Sequence, residues 1–159
     1  MTAASPYVLD YEGRFEFPVP PDEVWSAVED LERLETWWGW LGEFRMEGPG
    51  LAAGSVLHGV VAPPLPYRMR VRVELVDCDP PQRIDAAVAG DLVGQARLTL
   101  EPTGAGTRAR VAWEVEMMQR PMRMACRVAF PLLRWGHDRV VDATVAGFRR
   151  HLRSRAAGR

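Results

Sequence analysis

Leu133-Arg134-Trp135-Gly136-His137-Asp138-Arg139-Val140-Val141-Asp142-Ala143-Thr144-Val145-Ala146-Gly147-Phe148 is the stretch that decides how this chain folds. Stepped at about 100° per residue, Leu133, Gly136, Val140, Thr144, Gly147 and Phe148 fall on one face. Ala129, one turn earlier, extends that face, while Arg134, Asp138, Arg139, Asp142, Arg149, Arg150 and Arg153 fall opposite. The pattern predicts one long amphipathic helix from Met122 to Arg155. His137 lies inside its apolar face. Ala129, Gly136 and Gly147 are too small to fill the space in front of them, so a sheet laid over this helix is expected to leave a hole, and a hole is where function is sought.

Upstream, the periodicity changes from 3.6 to two. Tyr67-Arg68-Met69-Arg70-Val71-Arg72-Val73-Glu74-Leu75 alternates apolar and charged residues without a break, the mark of a strand with one wet face. Tyr11 to Phe17 does the same and is ended by Pro18, Pro20 and Pro21. Pro21 suits a helix first turn, with Asp22 and Glu23 near the positive end of the dipole. A short helix through Trp25 and Val28 follows, then a second from Leu31 to Trp38 with Asp30 as its cap. Five further strands are expected at Leu41–Glu47, Ser55–Ala62, Arg83–Ala89, Gly94–Glu101 and Thr107–Met117, separated by Gly- and Pro-rich turns. Sequential strands joined by tight turns favour antiparallel neighbours, and only the terminal helix is long enough to cover the dry face. The expected class is α+β, a helix-grip fold: a seven-stranded antiparallel curved sheet wrapped around a long C-terminal helix, with two short helices between strands 1 and 2.

The 159 residues suit one domain, 1–159, with 1–10 and 156–159 as loose ends. All twenty basic residues are arginine, and asparagine is absent as well, which removes Schiff bases, Ser-Lys dyads and Cys-His-Asn triads. Two cysteines, Cys78 and Cys126, are too few for a disulfide framework and are expected as free thiols. No apolar run has the length of a membrane span and no signal-peptide pattern opens the chain, so a cytoplasmic location is expected. The net charge of −1 conceals polarity: residues 1–50 carry eleven acids against three arginines, and residues 123–159 nine arginines against two aspartates. The two ends should attract. The basic helix is read as lacking exposed aromatics that could stack on bases or enter lipid, so neither nucleic acid nor membrane insertion is expected. A homodimer is left open.

Four stretches carry a family resemblance: Phe17-Pro18-Val19-Pro20-Pro21-Asp22-Glu23-Val24-Trp25, Gly90-Asp91-Leu92-Val93-Gly94, Gly106 to Val111 leading to Trp113, and Trp135-Gly136-His137-Asp138. With the order of elements, they resemble the START-related superfamily called SRPBCC, in its branch named for polyketide cyclases, dehydrases and lipid transport proteins. The resemblance spans roughly Tyr11 to Leu152. It implies the helix-grip fold and a hydrophobic small molecule held between sheet and helix; the last stretch resembles a bacterial subgroup.

Candidate residues follow from their faces. His137, on the sheet-facing stripe, is the candidate acid/base, with Asp138 projecting about 100° away into solvent. The alternative is a core histidine satisfied by a carbonyl or water. Tyr67, Met69 and Trp113 should point inward, as should Leu133 and Val140 from the helix. Trp37, Trp38 and Trp40 cluster where the short helices meet the sheet and would form either a gate or plain filling. His58 and Asp85 would join the cavity if their strand faces allow. No metal-ligand spacing exists, and no cofactor is expected. There is no nucleophile elbow, Walker loop or dinucleotide fingerprint. Three functions remain: a binder of a polyketide, lipid or aromatic metabolite; a cyclase or dehydratase using the same cavity through His137; and a protein-binding module of the chaperone-activator type using the outer face around Arg70 and Arg72. Whether the chain is an enzyme is left undecided.

Overall fold

The computed structural model describes residues 7–64 and 66–158. The expected ends at 1–6 and 159 lie outside the described residues; within the rest, strand β1 already begins at Val8 and the last helix runs to Ala157. The order is β1 (Val8–Phe17), α1 (Pro21–Glu29), a 3-10 turn (Leu31–Arg33), α2 (Leu34–Trp37), β2 (Leu41–Glu47), β3 (Val56–Val61), β4 (Met69–Asp79), β5 (Arg83–Gly90), β6 (Leu92–Thr103), β7 (Gly106–Met117) and α3 (Arg120–Ala157). All strands join one antiparallel sheet in the order β1-β7-β6-β5-β4-β3-β2. This is the helix-grip fold that the alternation predicts, with the meander running from β2 to β7 and β1 returning beside β7.

Two irregularities escape a period-two reading. Leu75 and Cys78 are three residues apart, yet both face inward, because the β4–β5 register slips between Leu75 and Asp77 and throws Val76 out to solvent. In β2 the register shifts between Gly42 and Arg45, with Glu43 at φ 51°, so Leu41 and Phe44 can share the inner face. Each is a bulge, one extra residue that re-aims its neighbours.

Asp30 makes no capping hydrogen bond; its carboxylate sits 3.3 Å from Arg155 and 3.8 Å from Arg33. The polar ends of the chain meet here, and also where Arg134 and Arg149 donate to the carbonyls of Asp10 and Glu16. Helix α3 has 38 residues and is not straight: Ala129 leaves helical geometry (φ −134°, ψ 34°) two residues before Pro131. Proline has no N–H for the carbonyl four residues back, and its ring crowds that carbonyl, which breaks the ladder at this point.

The core is split. One buried cluster joins Phe17, Trp25, Leu34, Trp37, Leu100, Phe148 and Leu152 where α1 and α2 meet the C-terminal half of α3. A second joins Met117, Met122, Cys126 and Leu133 at the other end. Gly147 belongs to the first end: a Cβ there would overlap the carbonyl oxygen of Trp37. The small residue expected to leave a hole is therefore filled by the α2 backbone.

Candidate functional site

Between the two packed ends, sheet and helix separate around a cavity of about 470 Å³. The helix wall here is Leu133, His137, Val140 and Thr144, and Trp37 and Phe148 stand at one end. The sheet wall comes from the inner positions of the strands: Leu9 and Phe15 of β1, Val71 and Val73 of β4, Ala96 and Leu98 of β6, Val111 and Trp113 of β7. Alternation alone places each of these.

At the α2 end stand the tryptophans. Trp37 and Trp38 stack at 5.7 Å between ring centroids, Trp38 meets Trp40 edge-on at 5.4 Å, and Trp37 meets Phe148 at 4.9 Å. All three indoles line the cavity, and their N–H groups are buried with no hydrogen-bond partner. At the other end lie Tyr67, Met69, Met117 and Leu133. Burial, and behind it the neighbouring Cys126, raise the Tyr67 hydroxyl above the ordinary tyrosine value, so it remains a neutral donor.

His137 occupies the middle of the helix wall. Indole N–H can only donate, so the 3.1 Å contact from Trp113 Nε1 makes His137 Nε2 the acceptor. The proton then resides on Nδ1 and is donated to Asp138 Oδ1 at 3.0 Å. Asp138 is exposed, as expected, and its carboxylate also reaches back to its neighbour's ring. Both imidazole nitrogens are engaged, and burial holds the pKa below the ordinary value, with the Asp138 hydrogen bond opposing. The ring is thus neutral near pH 7 and has no lone pair to offer a substrate.

Tyr11 completes this group, although the sequence had not marked it as a site residue. It stacks on Trp113 at 4.6 Å and meets the His137 ring at 5.0 Å. Its inward position on the alternating strand was the available signal. Burial raises its pKa first, and Asp138 and Asp142 add to the rise.

Of the residues expected around the cavity, Trp37, Trp38, Trp40, His58, Tyr67, Met69, Trp113, Leu133, His137 and Val140 all form its wall, and Asp85 does not. Asp85 alternates with the buried Ile84 and Ala86 and is held outside by Arg97 at 2.5 Å and Arg83 at 3.4 Å. His58 is a divided case. Its strand partners are Arg45 and Arg72 of the charged face and its Nε2 lies 3.4 Å from Glu47, so the residue borders the cavity while its imidazole turns toward an outer-face carboxylate. Cys78 and Cys126 are free, and burial raises both thiols above their ordinary value, so neither is poised as a nucleophile. Among the described residues no group of three or more His, Cys, Asp or Glu is placed to hold a metal ion, and no helix is long and apolar enough to cross a membrane. The exposure of Phe130 and Trp135 corrects the reading that the basic helix carries no exposed aromatics.

The sequence model of the family described as polyketide cyclase / dehydrase and lipid transport matches residues 9–155. No curated protein is significantly similar to the chain. Among solved structures, a conserved protein from Geobacillus kaustophilus superposes with a TM-score of 0.74 at 14% identity, covering 92% of this chain and 96% of that one. A Thermus thermophilus protein gives 0.71 at 16% identity over 92% and 97%. One from Nitrosomonas europaea gives 0.67 at 20% identity over 94% and 97%. At such identities the likeness is one of fold.

Proposed function

Because the chain belongs to the polyketide cyclase / dehydrase and lipid transport family, we propose that it binds one hydrophobic small molecule, of polyketide, lipid or aromatic type, in the cavity between sheet and α3. The observation that carries this is the void of about 470 Å³ walled by inner-face apolar residues from both ends of a divided core. That volume lies within the roughly 300–1,000 Å³ common for small-molecule sites. At about 25 cal/mol per Å², each roughly 55 Å² of apolar ligand surface buried is worth tenfold in affinity.

The polar groups suggest how the guest is oriented. The Tyr67 hydroxyl, a neutral donor, stands at one end, and the indole rings of Trp37, Trp38 and Trp40 line the other. A ligand with an apolar body, a flat part against the indoles and a carbonyl or hydroxyl oxygen at the Tyr67 end matches this lining. The cyclase or dehydratase alternative is less well supported: the Nε2 lone pair that would serve as base is taken by Trp113, and Asp85 faces the wrong way. No observation favours the protein-binding module.

The test is displacement of a fluorescent apolar dye from the purified protein by fused-ring and acyl compounds, beside mass spectrometry of a denatured extract. Uptake of the dye with competition, or a co-purifying hydrophobic compound, supports the reading. Absence of both ends it.

A further inference from the structure

Helix α3 carries two unlike halves. Its C-terminal half is conventional, with Phe148 and Leu152 buried and Arg149, Arg150 and Arg153 outside. The N-terminal half is apolar on both sides: Met122, Cys126 and Leu133 are buried, yet Met124 (71% exposed), Val128 (88%), Leu132 (51%) and Trp135 (48%) face solvent. Met124 and Val128 lie one turn apart before the break at Ala129, and Leu132 and Trp135 one turn apart after it, all four exposed. Met118 and Phe130 are also exposed nearby. Exposed apolar side chains gathered on one helix segment and rimmed by charge mark a contact surface.

The charges around the strip identify its partner. Residues 118–139 hold five arginines and one aspartate. Arg123 is paired with Glu116, and Arg134 lies 3.6 Å from Asp138. Arg120, Arg127 and Arg139 have no carboxylate partner among the described residues; Arg127 lies over the Tyr7 ring and Arg139 over the Trp135 ring at 5.8 Å. A second copy meeting this face about a twofold axis would bring two sets of unpaired arginines together. An anionic bilayer offers an apolar layer for the strip and negative headgroups for its rim, and tryptophan is favoured where those layers meet.

We propose that the kinked N-terminal half of α3 docks the protein on an anionic lipid surface, with Met124, Val128, Leu132 and Trp135 entering the acyl boundary and Arg120, Arg127 and Arg139 at the headgroups. Docking is interfacial and needs no spanning helix. It goes beyond the ligand reading and stands without it. The two are spatially linked, because the inner side of the same segment carries Leu133 and His137 of the cavity wall. The wall then lies about 10 Å, one helix diameter, from the lipid.

The experiment is co-sedimentation of the full chain with vesicles of phosphatidylcholine, with and without phosphatidylglycerol. Binding is expected on phosphatidylglycerol vesicles and should weaken as salt is raised. Val128→Asp with Leu132→Asp should lower it at least tenfold without changing the melting temperature, since both positions are exposed. Arg120→Glu with Arg127→Glu should lower it at least tenfold on the anionic vesicles alone. Failure to bind phosphatidylglycerol vesicles at low salt overturns the proposal, as does wild-type binding by the Val128/Leu132 variant. A solution dimer that the Val128/Leu132 variant dissociates overturns it too, by assigning the strip to a second copy.

Discussion

The indole N–H of Trp113 on β7 donates to Nε2 of His137 on α3 across 3.1 Å. This bond joins the sheet to the helix at mid-cavity, and Tyr11 packs against both rings. It makes the helix histidine of the cavity wall a tie between layers.

His137→Ala removes the acceptor and leaves the buried Trp113 N–H unpaired. Stability should fall by about 1–3 kcal/mol, measured by urea unfolding. His137→Gln, which can still offer an oxygen to Trp113, should recover part of the loss. An unchanged midpoint for the alanine variant would argue against the tie.

The same burial sets a pH dependence. His137 and His151 both have folded pKa values below the ordinary one, His137 chiefly through burial and His151 through burial with Arg155 adding to it. A group whose folded pKa is depressed binds its proton more readily when unfolded. Stability is therefore highest above the unfolded value of about 6.5, declines as pH falls through it, and levels off below the folded values. Melting temperature should drop between about pH 7.5 and 5.5, and substituting both histidines by glutamine should flatten that slope. A wild-type profile flat across this range would contradict the assignment.

Filling the cavity should separate binding from folding. Val140→Phe or Ala96→Leu places extra carbon in the void, on the helix and sheet sides respectively. Dye affinity should fall at least tenfold, a loss of about 1.4 kcal/mol, with the melting temperature held or raised because a void is occupied. Equal affinity in both variants would move the binding site elsewhere.

Two glycines make a paired test of the α2–α3 contact. Gly147→Ala forces its Cβ into the Trp37 carbonyl, while a Cβ added at Gly39 would meet nothing within 4 Å. The first substitution should cost about 1–3 kcal/mol as the Trp37 end is pushed from the helix; the second should be close to neutral. Thermal unfolding of the two variants side by side checks the contrast, and equal midpoints would refute it.

The chain's own pattern determined the architecture. Charged residues at every second position of β4 cannot face a dry interior, so Met69, Val71, Val73 and Leu75 had to point inward whatever the rest of the sheet did. The inward positions of Tyr67, Trp113, Leu133 and Val140 follow from the same two periods, and so does the grip of sheet on helix. What periodicity could not decide was anything set by a partner distant in sequence. Arg97 of β6 meets Asp85 on the outer face to which its alternation with Ile84 and Ala86 assigns it, and the bulges at Glu43 and Val76 reset which residues share a face. His137 was readable as an inward histidine, but its lack of a free lone pair depends on Trp113, 24 residues away on another element. The exposed strip from Met124 to Trp135 likewise resembles core in sequence. Only the tertiary structure, by spending the sheet's dry face on the opposite side of α3, left it uncovered, because a helix has two sides and this fold covers one.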